Sequence, residues 1–153
     1  MKKYLFTFLL AIIIGFFLSV FFIKQYDSFT GIKVSGIGEE LYFVQYGVFS
    51  SLESMENETI TLENYVYNIN DNMYYVYVGI TKKEDNANKI VDYYKSLGYP
   101  TIIKKFEITN SKFLEELTNY DSILSSTTDK TVIASLISQV LSKYEEVVIN
   151  GED

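Results

Sequence analysis

Four side chains in two short runs are of the right type and spacing to act together. Phe43 and Gln45 lie in Tyr42-Phe43-Val44-Gln45-Tyr46-Gly47, and Tyr75 and Tyr77 in Tyr74-Tyr75-Val76-Tyr77-Val78-Gly79. Both runs are β-branched and aromatic, which marks strands. Side chains alternate along a strand, so 43 and 45 share one face, as do 75 and 77. With the strands side by side, three rings and an amide form one exposed patch. Single-stranded nucleic acid stacks on such rings but also needs cations for its phosphates. A sugar chain lays its CH faces on the rings, while the amide donates to and accepts from hydroxyl and acetamido groups. Residues 41–108 carry 6 Lys against 9 acids, so sugar fits and nucleic acid is not expected.

Other chemistry is removed by composition. The 153 residues contain no Cys and no His, which excludes thiol nucleophiles, Cys/His zinc sites and His-based triads. All 13 basic residues are Lys, so there is no guanidinium fork, and the net charge of −7 disfavours a polyanionic partner. Two carboxylates could cleave a glycosidic bond. Yet Glu53, Glu56, Glu58 and Glu63, and the pairs Glu115-Glu116 and Glu145-Glu146, read as solvated helix faces. No catalytic residue, metal or cofactor is expected.

The elements that would hold the patch follow from periodicity. Strands are predicted near 42–48, 65–69, 73–79 and 101–108, and helices near 51–63 and 82–97. Ser50-Ser51-Leu52-Glu53 and Thr81-Lys82-Lys83-Glu84 each read as a capping box. Ala87, Ile90, Val91 and Tyr94 form an i, i+3, i+4, i+7 stripe, and Leu97-Gly98 a helix stop. Asn70-Asp71-Asn72 is a tight turn between the second and third strands. The first strand overlays the third at an offset of 32 residues, with Gly47 and Gly79 each expected to end its strand and turn into a helix. The order is βαββαβ, a split-βαβ, ferredoxin-like or RNP-like sheet of α+β class. Val44, Val76 and Val78 should face the helices, which leaves Phe43, Gln45, Tyr75 and Tyr77 on the open face.

Either side of this core the chain changes character. Residues 4–23 are uncharged, about 30 Å of helix, and no small-x-small cleavage site follows. A retained transmembrane anchor in the lipid bilayer is expected, with Lys2 and Lys3 holding the N-terminus in the cytoplasm. Residues 24–40 read as a flexible linker. Beyond residue 108, Asn110 or Ser111 could cap one helix and Thr128 or Asp129 a longer one. Their apolar stripe either buries on the chain's own domain or docks a protein partner or a second copy.

The stretch from Leu41 to Ile108 resembles the SPOR (sporulation-related repeat) domain of bacterial cell-division and spore-cortex proteins. The likeness rests on the aromatic-x-Val-Gln-x-Gly-x-Phe-Ser pattern at Tyr42 to Ser50 and on Tyr-x-Val-x-Val-Gly at Tyr74 to Gly79. Glu84-Asp85-Asn86-Ala87 and Leu97-Gly98-Tyr99 complete it. Met55-Glu56-Asn57-Glu58 departs from the family's Asn-Ala pair, and Met73 or Tyr74 stands where some relatives carry a larger aromatic. The resemblance implies binding of peptidoglycan glycan strands stripped of stem peptides. The expected organisation is an anchor at 1–23, a linker at 24–40, a SPOR-like domain at 41–108 and a helical extension at 109–153. A membrane-anchored, extracytoplasmic, non-enzymatic glycan binder acting in division or sporulation is the expected function. The alternative is an envelope scaffold that keeps the fold without the glycan.

Overall fold

The computed structural model describes residues 38–151. The expected anchor and all but the last residues of the linker lie outside them. Among the described residues no helix is long and apolar enough to cross a membrane. Four strands, β1 (Glu39–Phe49), β2 (Val66–Asn70), β3 (Met73–Thr81) and β4 (Ile102–Ile108), form one antiparallel sheet in the order β2-β3-β1-β4. Helices α1 (Leu52–Thr59) and α2 (Glu84–Ser96) interrupt it, which gives the expected βαββαβ order. Two more helices follow, α3 (Ser111–Ser126) and α4 (Lys130–Tyr144), and a π turn at Glu145–Ile149 ends the fold.

The local signals largely hold, with differences that have physical causes. Asp71 and Asn72 take φ of 49° and 59°, the pair of positive values that a two-residue type I′ hairpin turn demands. Gly98 has φ +88° as the C′ residue of α2, where a Cβ would be strained. The first cap falls one residue later than expected, at Ser51, whose hydroxyl accepts from Ser54 N–H at 3.2 Å. α1 also stops at Thr59, so Leu62 is buried from a loop rather than from a helix. The second capping box does not form. Thr81 is the last residue of β3, and α2 begins after Lys83, whose side chain makes no cap. Thr81 Oγ1 accepts instead from Lys83 N–H, and Asp121 of α3 accepts from Lys82 N–H at 2.7 Å.

Gly47 and Gly79 lie inside their strands rather than at the ends. Close packing explains both: an added Cβ would stand 2.8 Å from the Phe49 ring at one and 2.8 Å from Ile90 Cγ2 of α2 at the other. The register of β1 on β3 slips twice, after Val44 and after Gln45, in compensating bulges. Each adds a residue, so face parity reverses along both strands, and Val48 of β1 stands across from Tyr75 on the face of Phe43 and Gln45. Val44, Val76 and Val78 are fully buried, as are Ala87 and Ile90 of the α2 stripe.

Candidate functional site

Cross-strand partners in an antiparallel pair share a face, so the register defines what lies opposite α1 and α2. On β1 and β4 that face carries Leu41, Phe43 and Gln45 beside Phe106, Lys104 and Ile102. On β3 and β2 it carries Tyr75 and Tyr77 beside Asn68 and Val66. The four sequence-predicted residues do share it: Gln45 pairs with Tyr77, and the Phe43 and Tyr77 rings meet edge to face at 5.4 Å.

The expectation of an exposed central patch is corrected. Phe43 is 2% exposed, Tyr77 4% and Gln45 7%; Tyr75 alone is half-buried. What covers Phe43 and Tyr77 is the C-terminal helical pair. Tyr144 at the end of α4 packs on Phe43 at 5.5 Å, Phe113 of α3 packs on Tyr144 at 5.3 Å, and Phe106 closes the cluster at 5.1 Å from Phe43. Burial pushes the Tyr77 phenol well above its usual value, with the phenols of Tyr144 and Tyr75 adding to it. The Tyr144 phenol is pushed up to about 12 by burial.

The cover is latched by polar groups that spacing could not reveal. Asp121, 2% exposed, accepts from Thr81 Oγ1–H, from Lys82 N–H, and from Asn86 Nδ2–H at 2.9 Å. Lys89 Nζ donates to the carbonyls of Leu124, Ser125 and Thr127 at 2.6, 3.2 and 2.8 Å, placing a cation at the C-terminal end of α3. Asn110 caps α3 through its oxygen and donates its amide to Val147 carbonyl at 2.9 Å, tying the two ends of the pair together. Nine apolar side chains between Phe113 and Val147 are buried. Re-exposing them would cost about 1.5–3 kcal/mol each. A micromolar ligand supplies only about 8 kcal/mol, so it would not lift the pair.

The helices cover one half of the face and leave the other. Val48 is 37% exposed, Ile102 52%, and Asn68 is exposed, with Tyr75 and Lys104 half-buried among them. Gln45 lies at the margin, and its side-chain amide makes no hydrogen bond among the described residues. Sequence reasoning missed Asn68, Ile102 and Lys104 because the pairings of β2 and β4 are not written in either strand, and Val48 because the bulges reverse parity along β1. Lys104, across from Phe43, brings a cation to this face. Among the described residues no group of three or more acids could hold a metal ion.

No family model and no curated protein matches the chain. Among solved structures, the peptidoglycan binding domain of the B. subtilis cell wall lytic enzyme CwlC matches at 26% identity with a TM-score of 0.38. The match covers 48% of this chain and 96% of that domain. What the chain is similar to there is a peptidoglycan-binding domain. Its own sheet has the βαββαβ order, with two further helices added after β4.

Proposed function

We propose that the chain is a membrane-anchored, non-enzymatic protein of the cell envelope that binds peptidoglycan glycan strands in wall remodelling at division or sporulation. The contact surface is the uncovered half of the sheet face. The observation that carries this reading is Gln45, 93% buried, with an amide that no described residue engages, at the edge of a surface bearing Tyr75 and Asn68. An amide in that state has both donors and its acceptor available, which is what hydroxyl and acetamido groups require. Phe43 and Tyr77 then act from beneath by holding Gln45 and Tyr75 in place, not by touching sugar. The anchor at residues 4–23 would fix one end to the bilayer, with residues 24–153 outside.

A second reading has a specific observation in its favour. Three of the four residues that strand alternation places at the glycan are buried, Phe43 directly beneath Tyr144, which suits a scaffold that has kept the fold and lost the ligand. Pelleting with cell-wall sacculi, with and without amidase removal of stem peptides, separates the two. The glycan reading expects selective pelleting with denuded sacculi, weakened about tenfold or more by Gln45→Ala, Asn68→Ala or Tyr75→Ala, since a lost stacking or amide contact costs about 1–3 kcal/mol. If the parent does not pellet selectively with denuded sacculi, the scaffold reading stands, and if it does while all three variants pellet like it, the glycan contact lies elsewhere on the chain.

A further inference from the structure

The two edges of the sheet are treated differently. β4 carries Lys104, Lys105 and Glu107 along its seven residues, the charged pattern that keeps an edge from pairing with another strand. β2 has no such protection: Val66–Asn70 and Tyr65 before it contain no charge, no proline and no bulge. Tyr67 and Ile69 are 41% and 55% exposed.

The hairpin turn determines which backbone groups of β2 are outward. A two-residue type I′ turn closes on a doubly hydrogen-bonded pair, here Asn70 with Met73, and such pairs recur at every second residue. Asn68 and Val66 therefore bond to β3, while the N–H and C=O of Tyr67 and Ile69 point away from the sheet. No described residue bonds to them. Beside this edge lies a groove of ≈ 580 Å³, with Tyr65 to Ile69 as one wall and Glu145 and Ile149 of the π turn, with Asn150 after it, as the other. That volume is within the usual range of ligand sites, about 300–1,000 Å³. Glu145 is exposed and forms no ion pair among the described residues, whereas Glu146 beside it is held by Lys143 at 3.1 Å.

We propose that the β2 edge and the π turn form a binding groove for an extended cationic peptide segment, which adds to the sheet as a fifth strand next to β2. The unpaired N–H and C=O groups of Tyr67 and Ile69 select an extended backbone, because only a strand presents donors and acceptors at the matching repeat. Glu145 on the far wall selects a Lys or Arg side chain. A sugar chain satisfies the second requirement poorly and the first not at all. This site borders the glycan surface proposed above at Asn68, but it is built on the outward backbone of Tyr67 and Ile69 and on Glu145, and stands without that reading.

The experiment uses the full chain and a fluorescein-labelled, acetylated peptide alternating lysine with valine. Anisotropy should show saturable binding that weakens as salt rises. Hydrogen exchange should slow at Tyr67 and Ile69 when the peptide is present. Glu145→Lys should weaken binding about tenfold, and the same peptide N-methylated on alternate residues should not bind. Tyr67→Pro removes one outward N–H at an edge position that tolerates proline, and should abolish binding while the chain still melts cooperatively. If that variant unfolds, the N-methylated peptide and Glu145→Lys decide the matter. Absence of saturable binding, equal binding by the N-methylated peptide, or protection away from β2 overturns the proposal. So does protection of the same amides by denuded glycan, or by rising protein concentration with no peptide, which would assign the edge to sugar or to a second copy.

Discussion

Asp121 is 2% exposed, and its carboxylate accepts from Thr81, Lys82 and Asn86. Asp121→Asn would turn an NH2 group toward donors, so we expect a loss of about 3 kcal/mol, read from the urea midpoint. Phe43 and Asn68 form a contrasting pair on one sheet face. Phe43→Ala would open a cavity among Tyr77, Phe106 and Tyr144 and should cost about 3–5 kcal/mol. Asn68→Ala, at an exposed position, should stay within about 0.5 kcal/mol by the same measurement. Equal effects would mean that α4 does not cover the face. Nothing in the sequence marks Asp121 as special, since its partners lie 35 to 40 residues away and its own helix spacing is unremarkable.

At the scale of elements, the C-terminal pair behaves as part of the core. Lys89 ties α2 to the end of α3, so Lys89→Met, which keeps length and removes charge, should cost about 1–2 kcal/mol and fray α3 first. Hydrogen exchange faster at residues 122–127 than in the rest of α3 would show it. A chain ending at residue 109 would expose Phe43, Tyr77 and Phe106 together. It should bind a hydrophobic dye and aggregate; a soluble, cooperatively melting fragment would show the helices to be dispensable. The stripes of these helices were legible, Ile133, Leu136, Ile137, Val140 and Leu141 being spaced for one face and all buried. Their destination was not, because a stripe says that a surface is covered and not which one. Helix starts suffered similarly: the cap at α2 is replaced by a carboxylate from α3.

Over the whole molecule, ionisation of buried tyrosines sets the alkaline limit. Tyr77, Tyr94 and Tyr144 all have phenols raised by burial, Tyr144 to about 12, against a usual value of 10.0. A raised folded-state value stabilises the protein fully below the unfolded value of about 10, and the contribution is lost as pH rises from there through about 12. The urea midpoint should therefore be flat in this respect up to about pH 9 and fall beyond pH 10, together with the appearance of tyrosinate absorbance. Tyr144→Phe should reduce the slope. A midpoint unchanged to pH 11 would contradict the burial of these rings.

Much of this protein is determined by short-range pattern. Alternation in Tyr42 to Gly47 and Tyr74 to Gly79, the Asp71-Asn72 turn, the α2 stripe and Gly98 require only neighbours in the chain, and they specify the βαββαβ order without a partner. That Phe43, Gln45, Tyr75 and Tyr77 share a face was also readable from parity along a strand, whereas Val48 joins them only because the bulges in β1 and β3 reverse that parity. Whether that face is open was not. Burial of Phe43 and Tyr77 depends on Tyr144 and Phe113 arriving from helices more than sixty residues later than Phe43, held by Asp121 and Lys89. Contacts of that range arise from shape and polar satisfaction among elements already formed, and no spacing encodes them. The same holds for the groove beside β2: its strand was predicted, but its far wall is a π turn that only the packed structure brings there.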